Sequence, residues 1–184
     1  MKTKPLLTAA LVFISLYSFA QGGWMICNVS GGNNRVDDIF MLDTQTGYAV
    51  SGWYILKTTD GGNNWFTVNN DTAYCRSVEF INTQKGFVGS FNATSPTPKR
   101  ILRKTLDGGA SWTDLTMLID PLARGGICGL AIPDSNTIYG CGNYYQDSAY
   151  IVKSIDGGNA WSFIDMKMYA ASLIDMYFLN KDTG

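Results

Sequence analysis

Histidine is absent from all 184 residues, and Glu79 is the only glutamate. The first absence removes the commonest general base, the commonest metal ligand and any Ser-His triad. The second, together with few lysines, leaves little of what builds stable helices. The formal net charge of −1 comes without a basic run, which argues against a nucleic-acid partner. None of the four cysteines (Cys27, Cys75, Cys128, Cys141) stands in a C-x-x-C spacing, so no metal-type motif is present. No cofactor and no catalytic residue set can be assigned from what remains. Long apolar runs are missing too, except at the start of the chain.

That start reads as a targeting segment. Lys2 and Lys4 precede an apolar run at 5–19, and Ser18-Phe19-Ala20 supplies small residues at a cleavage position. The expectation is a signal peptide over 1–20, hence a secreted, periplasmic or cell-surface protein. The run falls short of the ~20 apolar residues that span a bilayer, so no stable membrane span is expected after cleavage. Export permits disulfides. Cys128 and Cys141 flank one hairpin and are expected to pair, while Cys27 and Cys75 have no obvious partner.

The remainder, 21–184, is rich in glycine, asparagine, aspartate, threonine and aromatics, the material of strands and tight turns. A nine-residue phrase recurs in it: KTTDGGNNW at 57–65, KTLDGGASW at 104–112 and KSIDGGNAW at 153–161. Its aspartates recur at intervals of 47 (60 to 107) and 49 (107 to 156) residues. Blade-type repeats run ~40–50 residues.

Each unit reads as four short strands. The first has VDDIFML, the turn DTQTG, YAVSG, YILKT, the TDGGNN turn and WFTV. The other two repeat that order. Short alternating apolar runs between Gly/Asn/Asp turns signal antiparallel meanders. Four-stranded meanders at this period are the blades of a β-propeller, and neighbouring blades must stack because one sheet cannot bury both faces. The expected fold class is therefore all-β, an incomplete ring. Its blades lie at about 36–69, 76–116 and 127–165, with a lone outer strand at 23–30 and the start of a further blade at 172–184. Phe178 lies six residues before Gly184, as Phe80 lies six before Gly86. In a closed ring the first strand would complete the last blade. A ring of six or seven blades needs roughly twice this length, which makes the chain read as a fragment.

The repeated phrase has the pattern Ser/Thr-x-Asp-x-Gly-x-x-Trp: Thr58, Asp60, Gly62, Trp65; Thr105, Asp107, Gly109, Trp112; Ser154, Asp156, Gly158, Trp161. A short carboxylate can accept backbone N–H groups inside a turn, glycine supplies positive φ, and tryptophan buries a large surface. Copies on separate blades cannot form one active site, so their expected role is structural. The pattern resembles the Asp-box, or bacterial neuraminidase repeat. The usual threonine before the tryptophan is here Asn64, Ser111 and Ala160. The stretch from SVEFINTQKGFVGS to RILRKTLDGGASW is most similar to photosystem II stability/assembly factor-like propellers, a group that also includes secreted proteins with no photosynthetic task. Sialidases and xyloglucan-cleaving glycoside hydrolases share the box.

A sialidase would need an arginine cluster, and the signature that carries it is missing near the mature start. Glycoside hydrolysis needs two facing carboxylates. Asp37, Asp38, Asp71, Asp120, Asp147 and Asp175 lie outside the boxes but read as turn and strand-end residues. The reading leans to a secreted binding or scaffold propeller over an enzyme, one that recognises a protein or carbohydrate partner. The alternative is a glycoside hydrolase, sialidase-like or xyloglucanase-like, with catalytic residues partly in further blades. The boxes and the five-residue first turns fall on one rim. The other rim carries the variable loops, where binding residues concentrate. Trp53, Tyr74, Arg124, Tyr144, Tyr145 and Asp147 are the candidate contacts there.

Overall fold

The computed structural model describes residues 26–29, 35–70, 73–91, 100–144 and 148–184. They form three antiparallel four-stranded meanders, with one extra strand on the first. Blade one is β2 (Val36–Met41), β3 (Gly47–Ser51), β4 (Tyr54–Thr58) and β5 (Asn64–Asn70). Blade two is β6 (Tyr74–Phe80), β7 (Gly86–Phe91), β8 (Leu102–Thr105) and β9 (Thr113–Asp114). Blade three is β10 (Gly129–Ala131), β11 (Ile138–Tyr144), β12 (Ser148–Ser154) and β13 (Ser162–Asp165). The innermost strands β2, β6 and β10 lie beside one another, and each blade runs outward from there.

Period-2 alternation decides which face meets which blade. On blade one, Tyr48, Val50 and Ile55 face blade two and bury against Val78, Phe80 and Val88. The Tyr48 ring stacks on Phe80 with centroids 3.6 Å apart. The opposite face of blade two sends Phe87 and Leu102 into a second core with Leu130, Ile138 and Val152 of blade three. Glycines six residues after two of the aromatics leave room for their rings. A Cβ on Gly86 would lie 2.5 Å from the Phe80 ring, and one on Gly184 would lie 2.7 Å from the Phe178 ring. That contact is the physical content of the six-residue aromatic-to-glycine spacing.

Each box is a closed hydrogen-bond device. In blade two the Thr105 hydroxyl donates to Asp107 Oδ1 (2.8 Å) and accepts from Gly109 N–H (2.9 Å). Asp107 also accepts from the Ser111 N–H and hydroxyl, which holds its carboxyl down at about 2. Gly108 and Gly109 take φ of 68° and 92°, a region closed to most side chains. Blades one and three repeat this with Thr58–Asp60–Gly62 and Ser154–Asp156–Gly158. The indoles differ: Trp65 and Trp112 donate to the carbonyls of Gly62 and Gly109, whereas Trp161 Nε1 finds no acceptor among the described residues. The boxes also join blades. Gly108 carbonyl accepts from Tyr48 OH (3.0 Å) and Lys57 Nζ (3.3 Å) of the preceding blade. Replacing Thr105, 1% exposed, by valine leaves the buried Gly109 N–H without its acceptor and takes one donor from Asp107. Chemical denaturation should show a loss of about 1–3 kcal/mol; an unchanged midpoint would mean the hydroxyl is dispensable.

One expectation needs correction. Cys128 and Cys141 are not bridged; both are thiols. The register sets Gly129, not Cys128, opposite Cys141, and a one-residue offset points the side chains apart. Burial pushes the Cys141 thiol up to about 12. The N-terminal strand lies on blade one among the described residues. Its described residues, β1 (Asn28–Val29), lie parallel to β5, with Asn28 opposite Asn64 and Val29 opposite Trp65. Asn28 N–H donates to the Asn63 carbonyl and Asn28 Nδ2 donates to Asn64 Oδ1, both at 3.1 Å.

Residues 172–184 form no strand, only an isolated bridge between Asn180 and Thr183. They nevertheless lie on blade three as β6 lies on blade one. Phe178 stacks on Tyr139 at 4.2 Å, and Tyr139 OH donates to the Lys181 carbonyl. Asp175 accepts from the next residue's N–H at 2.8 Å, as Asp38 does in β2.

Candidate functional site

The rim opposite the boxes gathers side chains from two blades. Gly52, at φ 60°, closes the tight β3–β4 turn and leaves Trp53 projecting from it. The Gly52 carbonyl accepts from Cys75 N–H at 2.7 Å, which fixes that turn against the start of β6. Trp53 consequently meets Tyr74 edge to face, with centroids 5.8 Å apart, and keeps 46% of its surface in solvent.

Beside this pair lies an ion-pair hub that sequence reasoning missed. The Asp37 side chain is 2% exposed and receives two guanidinium groups. Arg76 Nη1 reaches Asp37 Oδ1 at 2.9 Å across the blade boundary, and Arg35 approaches the same oxygen through Nε at 2.9 Å and through Nη2. A buried carboxylate needs such partners, and removing one would leave charge stranded. Two arginines on one aspartate leave a surplus positive charge at the rim, carried outward by Arg35, which is 64% exposed. Burial raises the Tyr74 phenol first, with the neighbouring Asp37 adding to the effect. The only sequence signal for the hub is an Arg-x-Asp at 35–37; the bulge at Arg76 in β6 is what turns its guanidinium to meet it.

Arg124 does not extend the surface. Its Nε donates to the Ile119 carbonyl at 2.9 Å, and a second nitrogen reaches the Met117 carbonyl. The guanidinium ties down the inter-blade segment of two 3-10 turns, Thr116–Leu118 and Pro121–Ala123. Tyr144 ends β11 opposite Ser148, but its side chain, Tyr145 and Asp147 lie outside the described residues. A cavity of about 110 Å³ opens nearby, lined by Leu122, Ser148, Ala149, Phe163, Asp165 and Lys167.

Deeper between the inner strands sits an acidic group. Glu79 of β6 faces Asp38 of β2 and Asp175 of the C-terminal segment. Burial, then these two charges, pushes its carboxyl up to about 8. Burial also raises Asp38, although it accepts from the N–H of Val78 and of Ile39. Among the described residues, no group of three or more His, Cys, Asp or Glu is placed to hold a metal ion. No helix among them is long and apolar enough to cross a membrane.

The stacked antiparallel blades, joined through boxed hairpins, define the molecule as a β-propeller in architecture. In fold it is similar to YCF48 and to GH74 enzymes. The structure of YCF48 bound to a D1 peptide superposes with a TM-score of 0.55 at 21% identity, over 71% of this chain and 40% of that one. YCF48 from Cyanidioschyzon merolae gives 0.54 at 20% identity, over 71% and 37%. An ancestral GH74 enzyme gives 0.56 at 18% identity, over 75% and 19%. This chain therefore spans about 40% of the length of the YCF48 chains it matches. No family model matches the chain, and no curated protein does.

Proposed function

We propose that this chain belongs to an exported propeller that captures an extended segment of a partner protein on the rim opposite its boxes. The observation that carries this reading is the joint surface of Trp53, Tyr74 and Arg35 over the buried Asp37–Arg76 pair. An exposed indole, a phenol and a guanidinium are the side chains that most often dominate protein recognition. Tyr74 sits on β6, Trp53 in a two-residue turn, and Arg35, next to the start of β2, is tied down by Asp37, so little ordering is needed on binding. YCF48, the propeller whose likeness is reported above, has been solved with a D1 peptide bound. Export rests on the leader-like residues 1–20, and a carbohydrate partner is the second class of ligand an aromatic rim can take.

A second reading is glycoside hydrolysis. It is favoured by a high-pKa Glu79 beside Asp38, an acid and a second carboxylate in one place, and by the likeness to a GH74 enzyme.

One experiment separates the two. The chain is presented to a random displayed peptide library and to a panel of β-glucans and sialosides, with both retention and product release recorded. Selected peptides should lose at least roughly tenfold in affinity on Trp53→Ala and on Arg35→Ala, as expected for a central aromatic or arginine contact. Peptides indifferent to both changes would defeat the binding-rim reading. Sugar release that vanishes in Glu79→Gln would establish the hydrolase instead.

A further inference from the structure

We infer that the cavity between the blade two–three link and blade three is a pocket for one branched aliphatic side chain, leucine or valine, of a captured peptide segment. The inference rests on the rim reading above and adds a second site to it. The cavity lies at the rim opposite the boxes, where Ser148 opens β12 and Asp165 closes β13. Leu122 lines it from the second 3-10 turn (Pro121–Ala123), which packs on β11 and β12.

The link that carries Leu122 is long and fixed. Residues 115–128 join β9 to β10, where 71–73 suffice to join β5 to β6. Asp120 accepts from Leu122 N–H at 2.8 Å, and Arg124 holds the carbonyls of Ile119 and Met117. Ile119 and Ala123 are buried, yet Leu122 is 61% exposed and Met117 73%. Single exposed apolar residues are ordinary, but several on one fixed link beside a cavity mark a contact surface. The opposite wall is rigid as well. Phe163 rests on Tyr150 with centroids 6.1 Å apart, and the Tyr150 hydroxyl is held by the N–H and carbonyl of Gly126.

Size and polarity select the occupant. The cavity holds about 110 Å³. A dry cavity of about 150 Å³ admits a benzene ring, so this smaller one suits an isobutyl or isopropyl group better than an aromatic one. Two of its lining residues form an ion pair: Lys167 Nζ and Asp165 Oδ2 lie 3.1 Å apart, with both side chains partly in solvent. They offer donors and an acceptor to the carbonyl and N–H that flank a side chain in an extended peptide, a match that a hydrocarbon chain does not make.

Chemical-shift titration of the isotope-labelled chain with N-acetyl-leucine N-methylamide tests the pocket. Saturable shifts should centre on Leu122, Ser148, Ala149 and Phe163, with a Kd on the order of 1 mM for a ligand of this size. The phenylalanine analogue should bind at least roughly fivefold more weakly. Leu122→Asp places a charge in the wall and should weaken the leucine ligand at least roughly tenfold. Leu122 is exposed, so the variant should keep the wild-type circular dichroism spectrum; should it misfold, Leu122→Ser serves in its place. Leu106→Asp, an exposed site on the box rim, is the control and should leave the titration unchanged. No saturable shift at these residues up to about 20 mM overturns the inference. Equal binding of the two ligands, or a Leu122 variant that binds as the wild type does, overturns it too. The assay uses neither Trp53 nor Arg35, so its failure removes the pocket and leaves the rim reading standing. Library peptides indifferent to those two residues would remove the aromatic patch while the leucine ligand still bound here.

Discussion

Replacing Phe80 by alanine should unfold blade two's contact with blade one at a cost of about 3–5 kcal/mol. The ring is 3% exposed, stacks on Tyr48 at 3.6 Å with planes 9° apart, and meets Trp112 edge-on at 6.2 Å. It also lies over Gly86, which has no side chain to fill the space left behind. In a scaffold of stacked repeats, stability is close to a sum of repeat terms and nearest-neighbour interfaces. The loss should therefore appear in urea unfolding as an early transition of the first blade, followed by the rest. A single transition shifted by less than about 1 kcal/mol would show that the layers at this boundary collapse around the gap.

Glu79→Gln should make the protein more stable at mildly alkaline pH. The folded state holds the Glu79 carboxyl at about 8, against an ordinary value of 4.5, because burial and the charges of Asp38 and Asp175 oppose ionisation. With the folded pKa raised, the proton is bound more tightly in the folded chain than in the unfolded one. Stability is then fully present below about 4.5 and is lost as pH rises through about 8. Glutamine mimics the protonated form and cannot titrate. Its advantage over wild type should open across that window and reach on the order of 3 kcal/mol above it. Thermal melts of both proteins from pH 5 to about 9 read this directly; parallel curves would mean Glu79 ionises freely.

The repeats were legible because their signal is redundant. Hydroxyl, aspartate, glycine pair and tryptophan each have a separate physical task in one turn, and the turn occurs in every blade. The Phe80–Gly86 and Phe178–Gly184 spacings could be read for the same reason, since a ring over a glycine needs both partners. What was not legible hung on single residues. The Cys128–Cys141 pairing depended on a register that shifts by one, and no composition signal marks such a shift. The parallel seat of Asn28–Val29 depends on one asparagine pair. Arg76 reads as an ordinary polar strand residue until the bulge beside it aims its guanidinium at Asp37. Arg103 was equally hidden: a guanidinium 1% exposed, bonded to Cys75 and Ser90 and held down at about 10 by burial, stands where alternation only asks for an inward side chain. Arg124 read as a surface contact because its carbonyl partners are backbone, which no side-chain pattern announces.

The seat of Asn28–Val29 matters for colloidal behaviour. An outermost strand offers a row of unused amides and carbonyls to any passing chain, the route by which sheets grow into fibrils. Blade one has the longest such border, β5 (Asn64–Asn70), and there the N-terminal segment occupies its start. Blades two and three keep their borders to Thr113–Asp114 and Ser162–Asp165, too short to template much. Trimming the chain as far as Val29 would extend the open part of that border back to Asn64 and Trp65, while every blade remained whole.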